Sequence, residues 1–149
     1  MRRYPEPAIG RLAGILDRRF EAVFLDVVTL AIVVGALGYV GGVLVGSELP
    51  IVFAVLGIQL ATPLAIFPYH IAMEGYFGQT VGKYSRGIVV VKDDGSSCTW
   101  GAALVRNVVR IVDMLPFAYL LGIVVGYASD DNKRLGDLAA GTKVVHTAE

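Results

Sequence analysis

The stretch RRFEAVFLDVVTLAIVVGALGYVGGVLV (18–45) decides the fold. From Val27 to Val45 it carries no charge. That run of about 19 residues makes roughly 28 Å of helix, enough with its flanks to cross a hydrocarbon core of about 30 Å. A soluble amphipathic helix shows a polar stripe every turn, and this stretch shows none. Its many glycines suit a membrane helix better than a buried helix in water. The reading is a first transmembrane helix.

This helix has two protein-facing sides. At about 100° per residue, Arg19 and Asp26 project from nearly one face, while Ala31, Gly35, Gly38, Gly42 and Gly46 project from roughly the opposite one. Small residues at that spacing let another backbone approach closely, and the stripe reads as packing within one chain ahead of homodimerisation. A carboxylate at the depth of Asp26 costs roughly 1–3 kcal/mol, so it should face protein or water rather than lipid. It is read either as a carboxylate tied to an arginine for structure alone or as a functional group. Arg106 and Arg110 are its expected partners.

The whole chain agrees with a membrane setting. Its 149 residues are 55% hydrophobic and 17% charged, where a soluble domain carries about 25% charged residues. Mean hydropathy is +0.64. The length suits one compact membrane domain with no room for a separate soluble enzyme. A formal net charge of zero gives no support for nucleic-acid binding. Cys98 is the one cysteine, so neither an internal disulfide nor a metal spacing is available. The first residues lack an apolar signal core with a cleavage site, and the first membrane helix is expected to direct insertion itself.

Residues 1–17, with Arg2, Arg3 and Arg11, read as a basic lead-in at the membrane surface, and 18–149 as the membrane domain. Residues 46–50 form a short turn. Residues 49–73 carry no formal charge and read as a second membrane helix, which Pro63 and Pro68 should kink or loosen. Gln59 reads as an inter-helix hydrogen bonder, and His70 as an interfacial histidine; His146 carries no signal. EGYFGQTVGKYSRG (74–87) resembles a phosphate loop superficially. It is one residue short of G-x-x-x-x-G-K-[ST], lacks the hydroxyl after Lys83 and follows a membrane helix, so a nucleotide site is rejected. Residues 86–92 read as a small strand projecting into water, closed by an Asp93-Asp94-Gly95 turn.

Thr99 can cap the next helix, expected over 100–115, and Trp100 suits the interface. Arg106, Arg110 and Asp113 form one charged stripe on it, with Asn107 alongside. The stripe either lies in water at the interface or turns inward to meet Asp26. Pro116 breaks the run before another apolar stretch, 116–128, and residues 142–146 read as a last short strand. The cations place the amino terminus and 74–100 in the cytoplasm. Residues 101–128 are read as a hairpin broken at Pro116, which keeps the tail inside and lets 142–146 pair with 87–92; a single full span is the alternative. The fold class is thus all-α integral membrane, with two transmembrane helices, a third helical hairpin or span, and a small cytoplasmic β element (86–92 and 142–146).

RRFEAVFLD (18–26), GQTVGKYSRGIVVVKDDG (78–95), LVRNVVRIVD (104–113) and KRLGDLAAGT (133–142) resemble, in order, the RDD family of membrane proteins. The resemblance implies that Arg19 is the family arginine and Asp26 its first aspartate. Asp137 is the choice for the second, with Asp113 its rival. The chain departs from the family pattern at Tyr84 and Ser85, and at residues 130–134. A role in transport has been suggested for the family.

Two functions follow. The first is a small transporter of protons or monovalent cations, working as an oligomer through the ionisable set Arg19, Asp26, Glu74, Arg106, Arg110, Asp113 and Asp137. The second is a non-transporting membrane module that docks lipid or another protein. No catalytic set is found and no enzyme is expected; no cofactor is expected either.

Overall fold

The computed structural model describes residues 4–10, 14–113 and 133–148. The uncharged run forms part of one unbroken helix, α1 (Ile15–Leu44), entered through Gly14 in the left-handed conformation. The second apolar run folds as α2 (Pro50–Leu56), one π-helical turn (Gly57–Ala61) and α3 (Thr62–Phe77). The π turn stands where the loosening was expected. Pro63 has no N–H to donate and its ring needs room in the turn before it, and a widened turn supplies that room. Pro68 sits inside α3 without ending it.

Ile15–Leu44 and Pro50–Phe77 are long and apolar enough to cross a membrane, and only 11% of the most apolar window of each is buried. Their large side chains point outward: Phe24, Ile32 and Leu37 on the first helix, Leu60 and Leu64 on the second. The buried face of α1 holds Ile15, Arg19, Ala22 and Asp26 instead. Apolar outside and charged inside is the reverse of a water-soluble helix, and an apolar surface this extended needs lipid against it.

The glycine stripe joins α1 to the second helix within the chain. A Cβ on Gly38 would lie 2.5 Å from the Phe53 carbonyl oxygen, one on Gly42 2.9 Å from Pro50 Cα, and one on Gly35 2.9 Å from Ile58 Cδ1. Gly46 does not belong to this contact. Among the described residues it has nothing within 4 Å of a Cβ, and its φ of +71° serves the turn that ends α1. Gln59 also departs from expectation, because it is exposed on the π turn rather than bonded between helices.

A short helix α4 (Val81–Ser85) follows, then β2 (Ile88–Lys92) and α5 (Trp100–Asp113). Thr99 caps α5 as expected, its hydroxyl accepting from the Ala102 amide at 3.3 Å. After residue 132 come α6 (Leu135–Ala139) and β3 (Thr142–Thr147). The expected helix at 116–128, the break at Pro116 and the departures at 130–132 lie outside the described residues.

The sheet has the order β1-β3-β2, where β1 is Pro7–Ala8. β2 and β3 pair antiparallel from Ile88↔His146 to Lys92↔Thr142, the pairing read from the sequence. β1 adds to the other edge of β3 through Pro7↔Thr147 and Ala8↔His146. The basic lead-in therefore contains a strand, which its sequence did not suggest. β2 does not project into water: Ile88 to Val91 are all buried. One face, Ile88, Val90 and Val144, packs with Ile15 and Ala22 of α1 and with Ala103 of α5. That contact fixes the sheet to the ends of the helices that carry the charges.

Candidate functional site

The buried stripe of α1 repeats at spacings of four and three, so Arg19 and Asp26 share a face but sit about 10 Å apart along the axis. Each meets a different part of the chain. Arg19 Nη1 donates to Asp137 Oδ2 at 2.7 Å, with both side chains buried. Asp137 stands in the first turn of α6, where its carboxylate also accepts from the Arg134 amide at 3.2 Å. A helix N-terminus favours a carboxylate there. Its other oxygen faces Arg106 Nη1 at 2.9 Å.

Arg106 carries the network into the second span. Its Nε lies 3.0 Å from Glu74 Oε2, an oxygen that also accepts from Asn107 Nδ2 at 3.2 Å. Glu74 Oε1 takes the Lys83 ammonium. The result is one ionic chain, Lys83–Glu74–Arg106–Asp137–Arg19, through α4, α3, α5, α6 and α1. Each carboxylate in it lies between two cations, and Glu74 is 0% exposed. A buried carboxylate keeps its charge when cations or hydrogen-bond donors compensate it. For Asp137, burial pulls the carboxyl upward, but Arg106 and Arg19 outweigh it and hold the group at about 2. Lys83 goes the other way. Burial lowers its ammonium more than Glu74 raises it, with Arg106 adding to the loss, and it stands at about 8.

The stripe of α5 thus turns inward while Leu104, Val105 and Val108 face outward. Among the described residues it makes no ion pair with Asp26. Arg106 is taken by Glu74 and Asp137, and Arg110 lies within electrostatic reach of Asp26 and Glu74 without an ion pair to Asp26 among the described residues. The Asp113 side chain falls outside the described residues.

Asp26 is held instead by the loop that resembled a phosphate binder. Its Oδ1 accepts from the Gly82 amide at 2.8 Å and from the Tyr69 hydroxyl at 2.9 Å, and its Oδ2 from the Thr80 hydroxyl at 2.6 Å. Gly82 makes this possible. A Cβ there would sit 2.0 Å from the Ala22 carbonyl oxygen, so only glycine lets α4 lie against α1. Gly78 ends α3 with φ +73°, turning the chain back towards Asp26. In this chain GQTVGK (78–83) is an intramolecular latch: Thr80 and Gly82 hold Asp26, and Lys83 holds Glu74. His70 completes the site. It is 1% exposed, not interfacial, and its Nε2 lies 3.5 Å from Asp26 Oδ2. The signal for it was present in the spacing of Thr62, Ile66, His70 and Glu74, a four-residue repeat whose three polar members are all buried.

Among the described residues no group of three or more His, Cys, Asp or Glu could hold a metal ion. The arrangement is a set of buried, mutually compensated charges within an apolar shell.

The chain matches the RDD family over residues 13–141. It is 35% identical over 97 residues to Uncharacterized membrane protein YteJ of Bacillus subtilis (strain 168), a match covering 63% of this chain and 56% of that protein. The chain thus spans little more than half the length of that curated relative. No solved structure matches. With two apolar helices facing outward and a family match over residues 13–141, the chain is a membrane protein and belongs to the RDD family.

Proposed function

We propose that the chain is a small proton or monovalent-cation transporter whose carrier group is Asp26, assembled as an oligomer in a cell membrane. The observation that carries this reading is the buried ionic chain Lys83–Glu74–Arg106–Asp137–Arg19 beside Asp26, in and against two apolar spans. Charges inside a membrane are costly and are kept where ions or protons pass. Two spans and a hairpin make a thin wall for a pathway, so further copies complete it. The reading involves no catalytic step. It places both termini in the cytoplasm: β1, β2 and β3 share one sheet, and Lys83, Arg86 and Lys92 mark that side by the positive-inside rule.

A second reading has an observation of its own. Arg19, Glu74, Arg106 and Asp137 already pair with one another, as they would in a module that docks lipid or protein and uses its charges only as staples. Flux from purified protein in liposomes, with and without a pH gradient, separates the two. Transport predicts proton or cation flux that responds to the gradient. Absence of flux under every gradient favours the module.

A further inference from the structure

His70 is buried with both ring nitrogens directed at oxygen. Nδ1 lies 2.8 Å from the Ile66 carbonyl oxygen one turn earlier, and Nε2 lies 3.5 Å from Asp26 Oδ2. The carbonyl can only accept, so Nδ1 carries the proton of a neutral ring and donates to it. Nε2 is then a bare lone pair facing a carboxylate, and among the described residues it has no hydrogen-bond partner. Asp26 already accepts from Tyr69, Thr80 and the Gly82 amide and offers His70 nothing in return. Two acceptors buried face to face repel, and one proton between them turns the repulsion into a hydrogen bond.

We propose that Asp26 and His70 form a binding site for a single proton, held between Asp26 Oδ2 and His70 Nε2. The proton comes from water and returns to it, with no covalent change in either side chain. Taking it up adds a second side-chain link between α3 and α1, beside the hydrogen bond from the Tyr69 hydroxyl to Asp26. The other charged or titratable groups bearing on the site are Tyr69 and Glu74 from α3, Lys83 from α4 and Arg110 from α5. Glu74 favours uptake, whereas Lys83 and Arg110 oppose it. The proposal deepens the transport reading by naming where the proton sits.

The test is ring-nitrogen NMR of the whole chain in lipid nanodiscs, with labelled histidine, between about pH 5 and 9. The chain has two histidines, so His146 serves as the internal reference. Nδ1 of His70 should stay protonated throughout, and Nε2 should gain its proton as the pH falls. Asp26→Asn removes the attracting charge and should move that step to lower pH by about one unit or more, leaving His146 in place. If Asp26→Asn does not fold, Tyr69→Phe takes one donor from the carboxylate, and the step should move to higher pH. A His70 Nε2 that keeps one protonation state across the range overturns the proposal, as does a step that neither variant moves. Liposome flux measured beside it keeps the two readings apart. A proton taken up without flux removes transport and leaves the site; flux with an inert His70 does the reverse.

Discussion

Arg19 and Asp137 stand 118 residues apart in sequence and 2.7 Å apart in space. Their contact ties the start of the first span to the last helix of the chain, and Arg106 on the same carboxylate extends the tie through α5 to Glu74.

Asp137→Asn should therefore be costly. It would leave Arg19 and one side of Arg106 without a counter-charge in a buried site, a loss of roughly 3–5 kcal/mol. Thermal unfolding in detergent should show a large drop, while Asp94→Asn on an exposed turn should show almost none. Equal effects at the two positions would mean that the Arg19–Asp137 contact contributes nothing.

The glycines separate by what surrounds them. Gly82→Ala and Gly38→Ala would place a Cβ 2.0 Å and 2.5 Å from carbonyl oxygens, and should impair folding. Gly101→Ala meets nothing within 4 Å among the described residues and lies in a helix, so it should be neutral or stabilising by up to about 1 kcal/mol. Expression and melting temperature of the three variants check this ordering.

Much of this architecture is legible in the residues themselves. The uncharged runs mark both spans because lipid tolerates nothing else there. The glycine spacing marks the α1 face that receives Pro50, Phe53 and Ile58. The strand pairing follows from two β-branched runs that need one another. Partners inside the charge cluster are not legible in the same way. Asp26 meets Thr80 and Gly82 because of a close backbone approach at Ala22, which no periodicity encodes. The strand at Pro7–Ala8 was hidden by two prolines, which only an edge position tolerates.

Stability should vary with pH through two groups of opposite sign. Asp137 is held at about 2 in the fold against 3.8 for the free group. Its contribution is complete above the free value and is lost as pH falls towards 2. Lys83 stands at about 8 against 10.5. Below 8 the cost of its buried charge is fully present, and between 8 and 10.5 the unfolded chain binds more protons, so stability rises with pH. Melting curves across that upper window should slope upward for the wild type, and Lys83→Met should flatten the slope.

Sidedness is tested by single cysteines in a Cys98→Ser background. With both termini cytoplasmic, an impermeant thiol reagent added to intact cells should label Glu48→Cys, in the exposed turn between the spans, and leave Ala148→Cys unlabelled. Labelling at position 148 would place the sheet outside.

The most direct test of Asp26 as carrier is flux in liposomes beside thermal stability for the wild type, Asp26→Asn and Asp26→Glu. The account predicts gradient-dependent flux in the wild type, partial flux for the Glu form, which still titrates, and an Asn form that inserts in the membrane but has lost proton coupling. An Asn form that is stable and transports as well as the wild type would contradict it.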